Sequence, residues 1–297
     1  MSALLEVGRI LIASGYTFTT VTPESHRRVN ARAGRWASNL RDVFGWSRPF
    51  HQDLLPPTLF DSLDRASVLE RQEDGFRCGV RFSTLEDRLF VHSAFPTNEP
   101  DAVFFGPDTY RFCRWLRTLD VRGRHLVDVG AGSGAGGIVL SDRVQSIVLG
   151  DINPRAIAFA RVNVELAGVA AEVVHSDVLA GIDGPLDLIV ANPPYMADDL
   201  KRAYRDGGGQ MGELLSVRIA CEAVERLAPG GKLCLYTGSA VVGGRHVILD
   251  ALIPRIRDRV SRIEVDEIDV DVFGEELARG PYGSVERIAA LGVVVTR

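Results

Sequence analysis

VDVGAGSGAGG, residues 127–137, sets the frame for reading the rest of the chain. A short apolar run beginning at His125 breaks into glycines at positions 130, 132 and 134. Glycines permit a tight turn and let backbone N–H groups come close to a ligand, most usefully between a strand and a helix. The sequence downstream has the alternation that such a turn requires. HLVDVG (125–130), SIVLGD (146–151), AEVVHSD (171–177), LDLIVAN (186–192) and KLCLYTG (232–238) are short apolar runs ending in polar residues or glycine. Continuous runs of this kind fit strands buried on both faces of a parallel sheet. PRAIAFARVNVELAG (154–168) opens with proline after Asn153 and closes at Gly168, as helices do, and 212–231 reads as a helix ending at Pro-Gly-Gly. Strand and helix in turn predict a doubly wound α/β sheet. Residues 261–273 and 287–297 add two strands, an antiparallel pair at one edge, for seven in a mostly parallel sheet.

Residues 1–100 have a different texture. Helical patterns near 2–14, 24–45 and 58–73 precede RCGVRFS (77–83) and RLFVHSA (88–94), which are spaced as a β-hairpin. FPTNEPD (95–101) reads as a linker. The expected organisation is a small helical plus β-hairpin module over 1–100, serving substrate recognition, ahead of an α/β domain over 101–297.

Of the 297 residues, 46% are apolar and 25% charged, ordinary values for a soluble globular protein. There is no run of about 18 apolar residues, so no membrane span is expected. MSALLEVGRILIASGY is interrupted by Glu6 and Arg9 and reads as an amphipathic helix rather than a leader. Four scattered cysteines lack metal-ligand spacing and suit a reducing, cytoplasmic setting with no metal. The net charge of −5 argues against a generally adhesive nucleic-acid binder. Even so, Arg27, Arg28, Arg32, Arg35, Arg41 and Arg48 face only Asp42 between positions 26 and 48. That segment is either a phosphate-contacting surface or a solvated helix face. His92 and His175, in strand-like runs, are expected to be packed rather than catalytic.

The glycine loop admits two ligands. Gly130-x-Gly132-x-x-Ala135 fits a dinucleotide fingerprint, and Asp151, at the end of the second strand, is where a ribose hydroxyl would be held in either case. Asp128 distinguishes them in part, because a carboxylate before the first glycine would repel a pyrophosphate yet can hold an ammonium group. Asp177 ends the third strand, where an adenine amino group could be met. Three carboxylates without a phosphate-seeking lysine suit S-adenosylmethionine better than NAD. Asn192-Pro193-Pro194-Tyr195 closes the fourth strand on the same sheet edge. An amide or exocyclic amine is a poor nucleophile because its lone pair is delocalised. Acceptors at the Asn192 side chain and the Pro193 carbonyl would draw its N–H bonds out of the plane. Prolines stiffen the loop, and Tyr195 offers a ring for a planar group to stack on.

VDVGAGSG, LGDINPRA, HSDVL and VANPPY occur in the order found in class I S-adenosylmethionine-dependent methyltransferases with an Asn-Pro-Pro-Tyr motif, and the chain resembles that family over roughly 101–240. The resemblance extends to N6-adenine, N2-guanine and release-factor glutamine methyltransferases, and to the methyltransferase small-domain group. It implies a Rossmann-like fold and S-adenosyl-L-methionine as cofactor. It implies a cofactor site at Asp128, Gly130, Ala131, Gly132, Gly134, Asp151, Ile152, Asn153, Asp177, Val178 and Asn192. FFGPDTYRF (104–112) resembles a segment of the glutamine branch and adds Phe105, Pro107 and Thr109, with Tyr110 where that branch has glutamate. Asn192, Pro193, Pro194 and Tyr195 would act on the acceptor, joined by Arg205 and Asp206 from YRDGGG, whose glycines 207–209 would hinge a lid. The expected acceptor is a planar nitrogen in RNA or another macromolecule, or a protein glutamine. A nicotinamide-dependent oxidoreductase would leave the Asn-Pro-Pro-Tyr motif without a task.

Overall fold

The computed structural model describes residues 2–297 apart from Ala33, Pro185 and Arg279. The chain opens with helices α1 (Ala3–Ala13), α2 (Pro23–Arg32), α3 (Leu40–Phe44) and α4 (Pro57–Arg65). Two antiparallel hairpins follow, β1 (Leu69–Gln72) with β2 (Gly75–Cys78) and β3 (Val80–Leu85) with β4 (Arg88–Ser93). The second is the hairpin expected from 77–94; the first corrects the expected helix over 58–73. That helix stops at Arg65, and a two-residue turn at Glu73-Asp74 brings Gly75 back opposite Gln72, so Leu69–Gln72 pairs with Gly75–Cys78. The helix expected over 24–45 also divides. Asn39 starts α3 afresh by accepting the Asp42 N–H at 3.0 Å, while Trp36 leaves the helical path to stack on His51. Ala33, inside that expected helix, lies outside the described residues.

Helix α5 (Pro107–Thr118) leads into β5 (Gly123–Val129), α6 (Ala135–Val139), β6 (Val144–Asp151), α7 (Pro154–Ala167), β7 (Glu172–His175) and β8 (Leu186–Ala191). Then come α8 (Leu214–Arg226), β9 (Leu227–Val242), β10 (Arg245–His246), α9 (Val247–Ile256), β11 (Arg262–Asp269) and β12 (Arg287–Thr296). The main sheet runs β11-β12-β9-β8-β5-β6-β7, with the short β10 paired to β9. Its centre is parallel; β12 alone in that row is antiparallel to its neighbours β9 and β11, which gives the expected edge pair. The helix expected over 212–231 ends at Arg226, because Leu227 already pairs with Leu186 as the start of β9. His175 is exposed at the end of β7 rather than packed, while His92 is buried.

Side chains of each central strand alternate between two cores. Leu126, Leu188 and Val190 pack under α5 to α7, whereas Val127, Val129, Ile189 and Ala191 pack under α8 and α9. A third core joins residues from α1, α3, α4 and the hairpins to Ala156, Phe159 and Val162 of α7. Fully buried Asn163 stitches this junction. Its oxygen accepts the Val91 N–H (2.7 Å), and its amide donates to the carbonyls of Val91 (3.0 Å) and Ser133 (2.9 Å).

Packing of α5 on the sheet depends on Gly292 of β12. A Cβ there would fall 2.3 Å from the buried Trp115 indole. Gly292→Ala is therefore expected to cost about 1–3 kcal/mol through overpacking. The check is a lower urea midpoint at unchanged slope.

Candidate active site

The strand order reverses between β5 and β8, and ligands of open α/β sheets sit at the carboxyl ends of strands beside such a reversal. Val129 pairs with Ala191, so the glycine loop and the Asn-Pro-Pro-Tyr segment leave the sheet side by side. One cleft is lined there by Asp128, Gly130, Ala131 and Gly132 from the first turn, and by Asp151, Ile152 and Asn153 from the second. Asp177 and Val178, Thr109, Asn192 to Tyr195, and Arg205 complete its walls among the expected residues. Gly130 takes φ +66°, a left-handed backbone in which a side chain would be strained.

The carboxylates are placed very differently. Asp128 is buried and accepts the Gly137 N–H at 2.7 Å. Burial pushes its carboxyl up to about 7, with the Asp151 charge adding to the rise and the Gly137 bond opposing it. Asp151 accepts the N–H groups of Gly132 and Asn153, each at 2.8 Å, which fixes the loop and leaves a lone pair free on each oxygen. Its carboxyl is also raised, chiefly by burial. Asp177 is half-exposed and holds Arg218 of α8 through both oxygens, at 2.8 and 3.1 Å. Asn153 caps α7 at the Arg155 N–H.

Tyr195 turns inward. Its hydroxyl donates to Asp108 at 2.6 Å, and the same carboxylate receives the Tyr236 hydroxyl at 3.0 Å and Arg111 at 3.1 Å. The ring, bordered by Phe273 and Tyr236, still lines the cleft. Asn192 is half-buried, and its amide forms no hydrogen bond within the described protein.

Some expected residues stand elsewhere. Phe105 is in the core, stacked on His92 with centroids 5.0 Å apart, because successive residues of an extended segment point opposite ways. Its neighbour Phe104 lines the cleft instead, its ring parallel to that of Tyr204. Pro107 opens α5, and Gly134 lies behind the loop against Leu149. Asp206 is bound by Lys201 at 3.1 Å, off the cleft. Arg205 reaches the cleft while paired with Glu276 at 2.9 Å. The segment expected to hinge at 207–209 is tied down at one end. Gly207 donates to the Met196 carbonyl at 2.9 Å, and a Cβ on it would lie 2.0 Å from the Gly212 oxygen.

Residues 114–253 match the family model described as the methyltransferase small domain. This stretch is similar to the methyltransferase small domain. Two curated relatives are similar to part of the chain. The release factor glutamine methyltransferase of Deinococcus radiodurans is 34% identical over 122 residues, covering 37% of this chain and 44% of that one. The ribosomal RNA small subunit methyltransferase C of Chromohalobacter salexigens is 35% identical over 120 residues, covering 40% and 33%. The chain thus spans less than half the length of either relative. Among solved structures, an M. jannaschii tRNA m1G37 methyltransferase has a TM-score of 0.50 at 15% identity, covering 76% of this chain and 59% of that one. Trm5b from Pyrococcus abyssi has a TM-score of 0.51 at 16% identity, covering 77% and 62%. These likenesses show the fold.

Within the matched stretch, sequence reasoning passed over Tyr204; outside it, it passed over Phe104, Asp108 and Phe273. Asp108 carried a signal, since an acid in the first turn of a helix that the motif already marked had no assigned partner. Phe273 carried none, because it reaches the cleft from a loop between β11 and β12. Among the described residues, no helix is long and apolar enough to cross a membrane.

Proposed function

We propose that this chain is an S-adenosylmethionine-dependent N-methyltransferase acting on a planar amine or amide nitrogen in a macromolecule. The observation that carries the proposal is Asn192. Its amide has no hydrogen-bond partner among the described residues, yet it leaves β8 level with the glycine loop and shares one cleft with the carboxylates of Asp128, Asp151 and Asp177. The donor set fits the cofactor. Asp151 has lone pairs to spare for ribose hydroxyls, and buried Asp128 suits an ammonium group. Half-exposed Ile152 offers an apolar wall to a purine face. When bound, S-adenosylmethionine supplies an electrophilic methyl on a sulfonium that leaves as a neutral thioether.

The protein's part is orientation. The Asn192 side-chain oxygen and the Pro193 carbonyl accept the two N–H bonds of the acceptor, which loosens its lone pair from the π system. Tyr195 lends a ring edge fixed by Asp108, and the two prolines hold these acceptors in advance of binding. No strong base is needed, since the nitrogen loses its proton after transfer.

Residues 1–100 serve as the recognition module and 101–297 as the transferase domain in this reading. RNA is the favoured acceptor polymer, supported by the arginine-rich segment of the module and by the ribosomal RNA relative. A base would have to be unpaired or flipped to reach Tyr195. A glutamine side chain is the second reading, favoured by the release-factor relative and by the shared segment at 104–112. The soluble protein would act in the cytoplasm.

Calorimetry with S-adenosylmethionine and with NAD, followed by labelled-methyl transfer to fractionated RNA, DNA and protein, tests the proposal. Binding of S-adenosylmethionine with label entering RNA is expected, and label in protein would favour the glutamine reading. NAD binding alone would overturn both.

A further inference from the structure

Arg81 of β3 is 4% exposed, and its Nε and one terminal nitrogen have no hydrogen-bond partner among the described residues. No described carboxylate lies near enough to act on it; the acidic groups that do are the Tyr16 and Tyr110 hydroxyls. Both are committed elsewhere, Tyr16 to the Phe82 carbonyl at 2.9 Å and Tyr110 to the Thr84 carbonyl at 3.1 Å. Thr20, before α2, joins Ser83 and His92 of the hairpin in a chain of their own that ends on the Ser93 carbonyl. Only the face of Phe18, 5.3 Å away, answers the guanidinium.

His26 of α2, 3% exposed, has the same shortage. The Asn30 amide beside it is oriented by two independent partners. Its nitrogen donates to the Trp46 carbonyl at 2.9 Å, and its oxygen accepts Arg48 at 3.0 Å. That nitrogen also lies 3.0 Å from His26 Nε2, which must therefore accept. A neutral His26 then carries its proton on Nδ1, and Nδ1 is buried without a partner. Burial first, then the charges of Arg81, Arg77 and Arg48, hold His26 down at about 4, with the Trp46 carbonyl countering in part. Phe18, under the Arg81 guanidinium, meets Trp46 with centroids 5.2 Å apart, and Trp46 meets His26 at 5.4 Å. The three buried donors thus share one aromatic neighbourhood, in which the Asp42 carboxylate is already bound by Arg48 at 2.9 Å. Buried donors are normally matched by acceptors, and guanidinium groups most strongly by oxyanions.

We propose that the N-terminal module holds a binding site for a compact oxyanion, a phosphate group, between Arg81 and His26. The site adjoins the cleft. His26 packs on Phe95 with centroids 4.4 Å apart, and two residues on, the Thr97 carbonyl accepts the Tyr204 hydroxyl at 2.7 Å. A phosphate held here would anchor its carrier beside the rim at Tyr204, and the assignment stands whether or not the cleft transfers methyl groups.

The test uses the full chain in buffer free of phosphate and sulfate, titrated with inorganic phosphate. The melting temperature is expected to rise with phosphate, and the ring-nitrogen signal of His26 to move with the same midpoint. Arg81→Met removes an unpaired buried charge, so it should be at least as stable as the parent without phosphate, yet bind phosphate about tenfold more weakly or worse. Arg257→Ala, at an exposed position outside the module, should leave the response intact. A parent protein whose melting temperature and His26 signal ignore phosphate overturns the site, as does an Arg81→Met protein that binds phosphate as the parent does. An RNA oligonucleotide with a 5′ phosphate, compared with the same oligonucleotide without one, separates the sources. Preference for the phosphorylated end, lost in Arg81→Met, assigns a nucleic-acid terminus; no preference alongside an intact phosphate response assigns the free anion.

Discussion

Asn192→Ala is expected to reduce methyl transfer by about 10²–10³ while leaving S-adenosylmethionine affinity within about twofold, since the amide's proposed partner is the acceptor. The reasoning rests on where that amide stands. It is held at the cleft by the stiff Pro193-Pro194 pair and has no bond within the described protein to lose. Truncation therefore leaves no buried donor behind and should not disturb the fold. What disappears is an acceptor aimed at an N–H bond that weakens as the nitrogen attacks. Single-turnover rates beside calorimetric affinities separate the two effects. Transfer at the parental rate would remove the amine clamp from the mechanism, and an equal loss in cofactor affinity would move Asn192 into the cofactor site.

The second large effect concerns Asp128. Its carboxyl, raised to about 7 by burial, is mostly protonated in the free protein at pH 6. A ligand bearing an ammonium group requires the carboxylate, so binding expels a proton. Affinity should climb up to about tenfold per pH unit below 7 and level off above it. Calorimetry at pH 6 in buffers of different ionisation heat counts that proton directly, and Asp128→Asn should abolish the count while weakening binding. Stability moves the other way. Because the folded carboxyl is raised above its unfolded value, the folded state binds more protons through the window from about 4 to 7, and stability falls as pH rises across it. Above that window the buried charge costs up to about 4 kcal/mol, so ligand-free Asp128→Asn should melt higher than the parent. A binding curve flat in pH would show that Asp128 holds no cation.

Much of this was legible because the signals are local. Apolar runs followed by Asp128, Asp151, Asp177 and Asn192 placed the strands, and the glycine loop placed the edge of the sheet where they meet. Errors arose where a local pattern was overridden. The tract at 58–73 kept a helical look past Arg65, although its last residues pair across a two-residue turn at Glu73-Asp74. Of two adjacent phenylalanines, the choice of Phe105 over Phe104 depended on which side of an extended segment faced α5, a tertiary fact. The anchoring of Tyr195 by Asp108 and Tyr236 joins positions far apart in the sequence. The shortage of acceptors around Arg81 shows only once every neighbour's bonds are counted.

Asn163 has a wider consequence. One side chain pairs with a hairpin strand of the first hundred residues and with the carbonyl at Ser133 in the glycine loop. A cut near residue 100 would strip that amide of two of its three bonds and bare Phe159 and Val162 of α7. In the proposed reading, recognition and transfer would thus share one mechanical part. Were a guest to firm the loop through Asn163, it would firm the hairpin too, and by reciprocity a substrate held by the hairpin would tighten the grip on the loop's ligand. The two halves of this chain would bind their partners in concert.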